Sequence, residues 1–364
     1  MIIRCVAAAG LVAAAIVSPA AQESRACDPI GDIKFVCGQD GPEDLVVVPG
    51  TPWIVASAYG ATGGLHLIDT KQATSTRVFP SAAAVDRHDR TAFPSCPGPL
   101  QGDDRDRFRT HGLYLKTGSR APHTLYAVHH GGRESVEVFE LDARSTPATI
   151  AWIGCVVAPD PIGLNAVVAL PDGGLAATNF DPRPPAGARG GGFSSALLNG
   201  QNNGEVWEWH ARTGWAKVPG SEAAGANGLE ISPDGKTFYV AQWGNRSFMR
   251  LSRGTNPPAR QVIELGFRVD NVRWAPDGML LVAGQGDGGA SAAGRAAGAP
   301  AINASTSVIG RIDPRTMAYT QLVNQPTTAT LNAATVAVQI GDELWAGSFR
   351  GDRVARYPAS AWKR

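Results

Sequence analysis

The sequence predicts an all-β fold, a six-bladed β-propeller, from three observations. No long stretch carries helical periodicity. Short alternating, β-branched and aromatic runs such as Leu125–Val128, Thr237–Ala241 and Glu343–Ala346 recur between Gly, Pro, Asn and Asp. One unit, an apolar strand, a tight turn and a second strand ending in small or aromatic residues, repeats along the chain.

The clearest copies of that unit are Leu164–Phe180, Ala226–Trp243 and Val269–Gly286. They turn on Pro171-Asp172-Gly173, Pro233-Asp234-Gly235 and Pro276-Asp277-Gly278. A fourth, Pro42–Tyr59, turns at Pro49-Gly50. Weaker copies are Thr110–His130, near Thr117-Gly118, and Ala334–Phe349, near Gly341-Asp342. Six units at roughly 57 residues each leave room for the four strands of a blade. Residues 22–364 are therefore expected to form a single propeller domain.

Residues 1–21 precede it. Arg4, the apolar run Val6 to Val17 and the small residues Ser18-Pro19-Ala20-Ala21 read as a cleaved secretory signal peptide. No segment reaches the roughly 18 apolar residues of a membrane span, so the expected location is periplasmic or secreted, with no integral membrane segment. The net charge of +1, with both signs dispersed, gives no nucleic-acid footprint and no polybasic membrane patch. A monomer acting on a small molecule is the expected form. Cys5 leaves with the signal, and Cys27, Cys37, Cys96 and Cys155 remain. Of the three pairings open to them, proximity favours Cys27–Cys37 and Cys96–Cys155. No Cys-x-x-Cys pair argues for zinc.

The polar residues share a phase. Six positions before each turn stand Glu43, His111, Asn165, Asn227, Asp270 and Thr335. In a propeller the first strand of each blade lines the central channel, so these side chains would converge on the axis at one end. Two carboxylates and two amides in register are hard oxygen ligands, and Asn271 adds another oxygen; the set suits Ca²⁺ and disfavours zinc or copper. The first strand runs away from that end and the second returns. The ends of the second strands, with Tyr59, His129-His130, Phe180, Trp243, Gln285 and Phe349, therefore share the metal face. Tyr59, Phe180, Trp243, Thr335 and Phe349 are the candidate pocket wall. Two Gly-rich loops, roughly 181–204 and 286–307, belong to the same face.

These residues resemble the paraoxonase (arylesterase/lactonase) family and, more distantly, the gluconolactonase and diisopropyl-fluorophosphatase propellers. The resemblance is carried by Gly41-Pro42-Glu43-Asp44-Leu45, Thr110-His111-Gly112, Ser135-Val136-Glu137-Val138-Phe139, Leu164-Asn165 with Thr178-Asn179, Ala226-Asn227-Gly228, Val269-Asp270-Asn271 and Ala334-Thr335-Val336-Ala337. It implies a catalytic calcium held by Glu43, Asn165, Asn227, Asp270 and Asn271. It also implies a proton-handling dyad of His111 and His130, with His129 one position off. The loop at 181–204 resembles that family's specificity loop. Two departures stand out. Ala166 replaces the Asp that would join Asp44 in a second, structural calcium site, and the Cys that would tie the last strand to the first is missing, leaving closure of the circle to strand pairing.

The chemistry this implies is calcium-dependent hydrolysis of a lactone or aryl ester, with His111 as base assisted by His130, or Asp270 as base or nucleophile. A ligand- or partner-binding propeller with a structural calcium, or a calcium-dependent lyase or isomerase, are the alternatives from other classes.

Overall fold

A computed structural model describes residues 27–118, 122–146, 148–184, 192–286, 306–327 and 331–363. The signal segment at 1–21 and most of the loop at 286–307 lie outside the described residues. Six antiparallel sheets follow one another around a ring, as the repeats predict. Blade 1 is built from Leu45–Val47, Trp53–Ser57, Leu65–Asp69 and Thr74–Phe79, and blade 2 from Arg109–Lys116, His123–His130, Ser135–Asp142 and Thr149–Val157. The short strand Val85–Asp86 adds parallel to the rim of blade 2. Blade 3 comprises Leu164–Ala169, Leu175–Asn179, Glu205–His210 and Gly214–Lys217; blade 4 comprises Ala226–Ile231, Thr237–Gln242, Ser247–Ser252 and Arg260–Glu264. Blade 5 holds Arg268–Trp274, Leu280–Gly286, Thr306–Ile312 and Tyr319–Pro326.

Blade 6 closes the circle. Its inner three strands, Ala334–Ile340, Glu343–Ser348 and Arg353–Tyr357, accept Lys34–Cys37 as the outermost strand, with Phe35 opposite Ala355. Strand pairing does replace the missing cross-link. Cys27–Cys37 ties the segment before this closing strand to the strand's last residue, and Cys96–Cys155 ties the segment before blade 2 to that blade's rim. Both pairings are those favoured by proximity.

Blades pack face to face through alternating apolar residues. Phe79, Phe108 and Phe139 meet edge-on between blades 1 and 2, with centroids 4.7–5.7 Å apart. The Pro-Asp-Gly turns need a left-handed residue, and Gly173, Gly235 and Gly278 take φ of 93°, 71° and 78°.

One feature of the inner strands aims the site. In blades 2 to 6 the pairing slips by one residue near the start of the inner strand, across Thr110/Leu113, Leu164/Val167, Ala226/Leu229, Val269/Val272 and Ala334/Val336. Each slip is a β-bulge, which leaves the extra residue unpaired and re-aims its side chain. His111, Asn165, Asn227, Asp270 and Thr335 all sit in these bulges. Neighbouring inner strands then approach so closely that a Cβ on Gly228 would lie 2.6 Å from the Asn271 Cα.

Candidate metal centre and active site

The channel mouth opens into a cavity of about 420 Å³. Its floor carries Glu43, His111, Asn165, Asn227, Asp270 and Thr335, the whole set picked out by phase. Asn271 lies just beneath, 1% exposed. Its walls include Tyr59, His130, Phe180, Trp243, Gln285 and Phe349, so the second-strand ends do share this face.

The floor is organised by its amides. Asn271 Nδ2 donates to Glu43 Oε1 at 2.6 Å. Asn165 Nδ2 faces His111 Nε2 at 3.4 Å. The Asn227 side chain donates to Asp270. Each amide thus spends its NH₂ group on a neighbour and leaves its oxygen bare. Asn165 Oδ1, Asn227 Oδ1, Asn271 Oδ1 and Glu43 Oε2 are all buried without a hydrogen-bond donor. A buried acceptor left unpaired costs about 1–3 kcal/mol. Four in one cluster, beside a second carboxylate, are residues that could hold a hard, oxygen-seeking cation.

The carboxylates show the same demand. Burial raises Glu43 well above the usual carboxylate range, and the charges of Asp270 and Asp44 push it further. Asp270 is pushed up to about 7, chiefly by burial, against the lowering effect of bonds from Gln285 and Asn227. Gln285 Nε2 donates to Asp270 Oδ2 and to the Ala334 carbonyl, both at 2.7 Å, while Trp243 Nε1 holds Gln285 Oε1 at 2.9 Å. Thr335 donates its hydroxyl to the Glu43 carbonyl at 2.6 Å and so positions the Glu43 backbone.

The two histidines meet. His111 Nδ1 lies 2.8 Å from His130 Nε2, and His111 Nε2 lies 3.7 Å from Glu43 Oε1. Burial, then the neighbouring His130 and Arg109, lower the His111 pKa well below its ordinary value, so the ring is neutral at neutral pH. His130 Nδ1 in turn faces both oxygens of Glu134 at 3.0 Å. His129 is turned away: 1% exposed, it stacks on Phe108 with ring centroids 5.0 Å apart. Strand alternation decides between the two, since adjacent residues take opposite faces.

The pocket wall is aromatic. Phe180, Phe193 and Trp243 form one cluster with centroids 5.2–5.9 Å apart. Tyr59 packs on His111 and on Phe349 across from it. The Arg268 guanidinium lies over Trp243 at 4.1 Å. Of the loop at 181–204, residues 185–191 lie outside the described residues. Its later part is tethered: Asp181 accepts from Ser194 and Asn203, and Leu197 is fully buried.

Below the floor, both oxygens of Asp44 are filled. Oδ1 accepts from the Leu45 amide at 2.8 Å; Oδ2 accepts from the Leu113 amide at 2.7 Å and from Arg273 Nη2. The Arg273 guanidinium serves Asp44, and Ala166 supplies no carboxylate beside it. The shared phase of the polar residues does not mark Arg273, Gln285's hold on Asp270, or Glu134, which sits in the turn after His130 where no repeat position falls.

Fold and site together define a six-bladed β-propeller with an oxygen-rich axial centre beside a histidine pair. No protein-family model matches the chain, and no curated protein matches it. Solved structures similar to it include a luciferin-regenerating enzyme, with TM-score 0.53 and 14% identity over 89% of this chain and 94% of that one. A gluconolactonase from Xanthomonas campestris gives TM-score 0.53 and 14% identity, covering 90% and 89%. Virginiamycin B lyase from Staphylococcus aureus gives TM-score 0.51 and 11% identity, covering 89% and 98%. At these identities the likeness establishes the fold.

Proposed function

We propose that the chain is an exported, calcium-dependent hydrolase of lactones or aryl esters, of the paraoxonase type. The observation that carries this reading is the cluster of bare buried oxygens on Glu43, Asn165, Asn227 and Asn271, within reach of a neutral imidazole. Those four residues and Asp270 would hold Ca²⁺. When bound there it would polarise the substrate carbonyl and stabilise the developing oxyanion.

The chain's own residues supply the proton chemistry. His111 Nε2 takes a proton from the attacking water as oxygen bonds to the acyl carbon. His130, hydrogen-bonded to His111 Nδ1, stabilises the charged ring. When the acyl carbon–oxygen bond breaks, His111 returns the proton to the departing alkoxide. Asp270 is the less suited base, because its carboxylate already accepts from Gln285 and Asn227. The aromatic wall of Phe180, Phe193, Trp243, Tyr59 and Phe349 suits an apolar acyl or aryl group.

The gluconolactonase among the similar structures agrees with lactone chemistry. Export is supported by the two disulfides, which persist in oxidising compartments. Among the described residues no helix is long and apolar enough to cross a membrane. The test is a panel of lactones, aryl esters and phosphotriesters assayed with and without a chelator. Chelator-sensitive hydrolysis of at least one carboxylic ester supports the reading. Elimination or isomerisation without hydrolysis would move the site to the lyase or isomerase class, and inertness with chelation-resistant partner binding would make it a binding propeller.

A further inference from the structure

We propose that Glu134 is the positioning residue that fixes which end of the histidine pair is basic; this rests on the hydrolase reading for its consequence, though not for its geometry. An ionised carboxylate can only accept hydrogen bonds. Both Glu134 oxygens lie 3.0 Å from His130 Nδ1, so that nitrogen carries the proton. In the neutral ring His130 Nε2 is then a bare acceptor. His111 Nδ1, 2.8 Å away, must be the donor to it. His111 Nε2 is left bare, facing the amide NH₂ of Asn165 at 3.4 Å and the oxygens of the floor. Each assignment follows from the one before, and the sequence begins at Glu134.

Reversing the chain shows what depends on it. Were His130 to carry its proton on Nε2, His111 Nδ1 would accept, and Nε2 would carry a proton into the Asn165 NH₂ group. The site would lose its base, and the Nε2 proton would meet the Asn165 NH₂ at 3.4 Å, with the Glu43 carboxylate, at 3.7 Å, too far to accept it as a hydrogen bond. Glu134 also accepts from the Leu164 amide at 2.7 Å, next to Asn165 in the inner strand of blade 3. It therefore ties the histidine pair of blade 2 to the strand that presents a floor oxygen. It is 7% exposed and touches the rim of the cavity, so its carboxylate is held among fixed partners. Residues in this role, one shell behind a reacting group, typically alter activity 10–100-fold.

The decisive experiment reads tautomers without turnover. Protein labelled with ¹⁵N-histidine is recorded by long-range ¹H–¹⁵N correlation at pH 8, with calcium chloride and after chelation. The expected wild-type spectrum has His111 and His130 both protonated on Nδ1. Glu134→Gln, whose amide oxygen can still accept from both His130 and Leu164, keeps that pattern. Glu134→Ala moves one or both rings toward the Nε2–H form. In hydrolysis of phenyl acetate and δ-valerolactone, Glu134→Ala lowers kcat at least tenfold with KM within threefold, and Glu134→Gln recovers most of the loss. A wild-type His111 protonated on Nε2, or an unchanged spectrum in Glu134→Ala, overturns the proposal. If Glu134→Ala fails to fold, the wild-type and Glu134→Gln spectra still decide it. If neither ester turns over, the hydrolase reading fails while the tautomer result stands by itself.

Discussion

Arg273→Met should destabilise the propeller more than any single change in the pocket wall. Arg273 is 5% exposed on the inner strand of blade 5. Its guanidinium donates to Asp44 and the Leu113 carbonyl through Nη2, to the Leu45 carbonyl through Nε at 3.2 Å, and to Glu230 through Nη1 at 3.5 Å. One side chain thus joins blades 1, 2, 4 and 5 around the axis. Methionine keeps the stem and removes the charge. Asp44, fully buried, and Glu230, 4% exposed, then lose their cation. Breaking a buried ion pair from one side costs about 3–5 kcal/mol. At about 2–3 °C per kcal/mol for a chain of this size, the melting temperature should fall by roughly 6–15 °C. The sign with pH follows from the acids. Burial raises Asp44, and raises Glu230 to about 7, even with Arg273 opposing the shift. Without it both rise further, the folded state binds more protons than the unfolded one, and stability falls as pH climbs through the window between the two pKa values. The deficit should therefore widen from pH 5 to pH 8 in thermal melts followed by circular dichroism. A shift under 2 °C, or a deficit that widens toward acid, would refute the reasoning.

Three further outcomes follow from the site. Asn227→Leu removes one bare oxygen and the bond to Asp270, and should weaken Ca²⁺ binding at least tenfold by calorimetry while leaving the β-sheet spectrum intact. Metal affinity should rise between pH 5.5 and 7.5, because Asp270 sits near 7 and Glu43 is raised when no cation is present, so binding must displace protons; calorimetry in buffers of different ionisation enthalpy would detect their release, and a pH-independent affinity would count against the two acids as ligands. Phe193→Ala strips an exposed rim aromatic from the wall, so kcat/KM for an aryl ester should drop several-fold with the melting temperature unchanged within 2 °C.

The ring of blades was legible because turns recur at blade spacing: Pro-Asp-Gly with its left-handed glycine marks three of them, and the weaker turns at Pro49-Gly50, Thr117-Gly118 and Gly341-Asp342 complete the six. Counting back from those turns also found the floor, since Glu43, His111, Asn165, Asn227, Asp270 and Thr335 do line one cavity. The bulges were not legible. One extra residue reverses the strand's parity, so Arg273 and Glu230, each three residues past a floor residue, turn toward the axis where alternation by two would turn them away. Glu134 was hidden for another reason. It lies in a connection between strands, and only the folded geometry brings it to His130 and Leu164. In sequence the loop at 181–204 is one of two Gly-rich loops on the metal face and resembles a specificity loop; the structure shows that its helical turn Ser195–Leu198 buries Leu197 against Gly225 and Gly244. Excising the whole loop would therefore cost stability as well as selectivity.

The central claim is that the axial oxygens hold a calcium on which hydrolysis depends. The most direct measurement follows calcium binding and δ-valerolactone or phenyl acetate hydrolysis in one chelator-stripped sample, titrated with calcium chloride. The account predicts no turnover at the start and saturable binding of one ion per chain. Activity should then rise in step with occupancy and be abolished in Asp270→Ala. Full hydrolysis in the stripped protein, or calcium binding unaltered in Asp270→Ala, would contradict it.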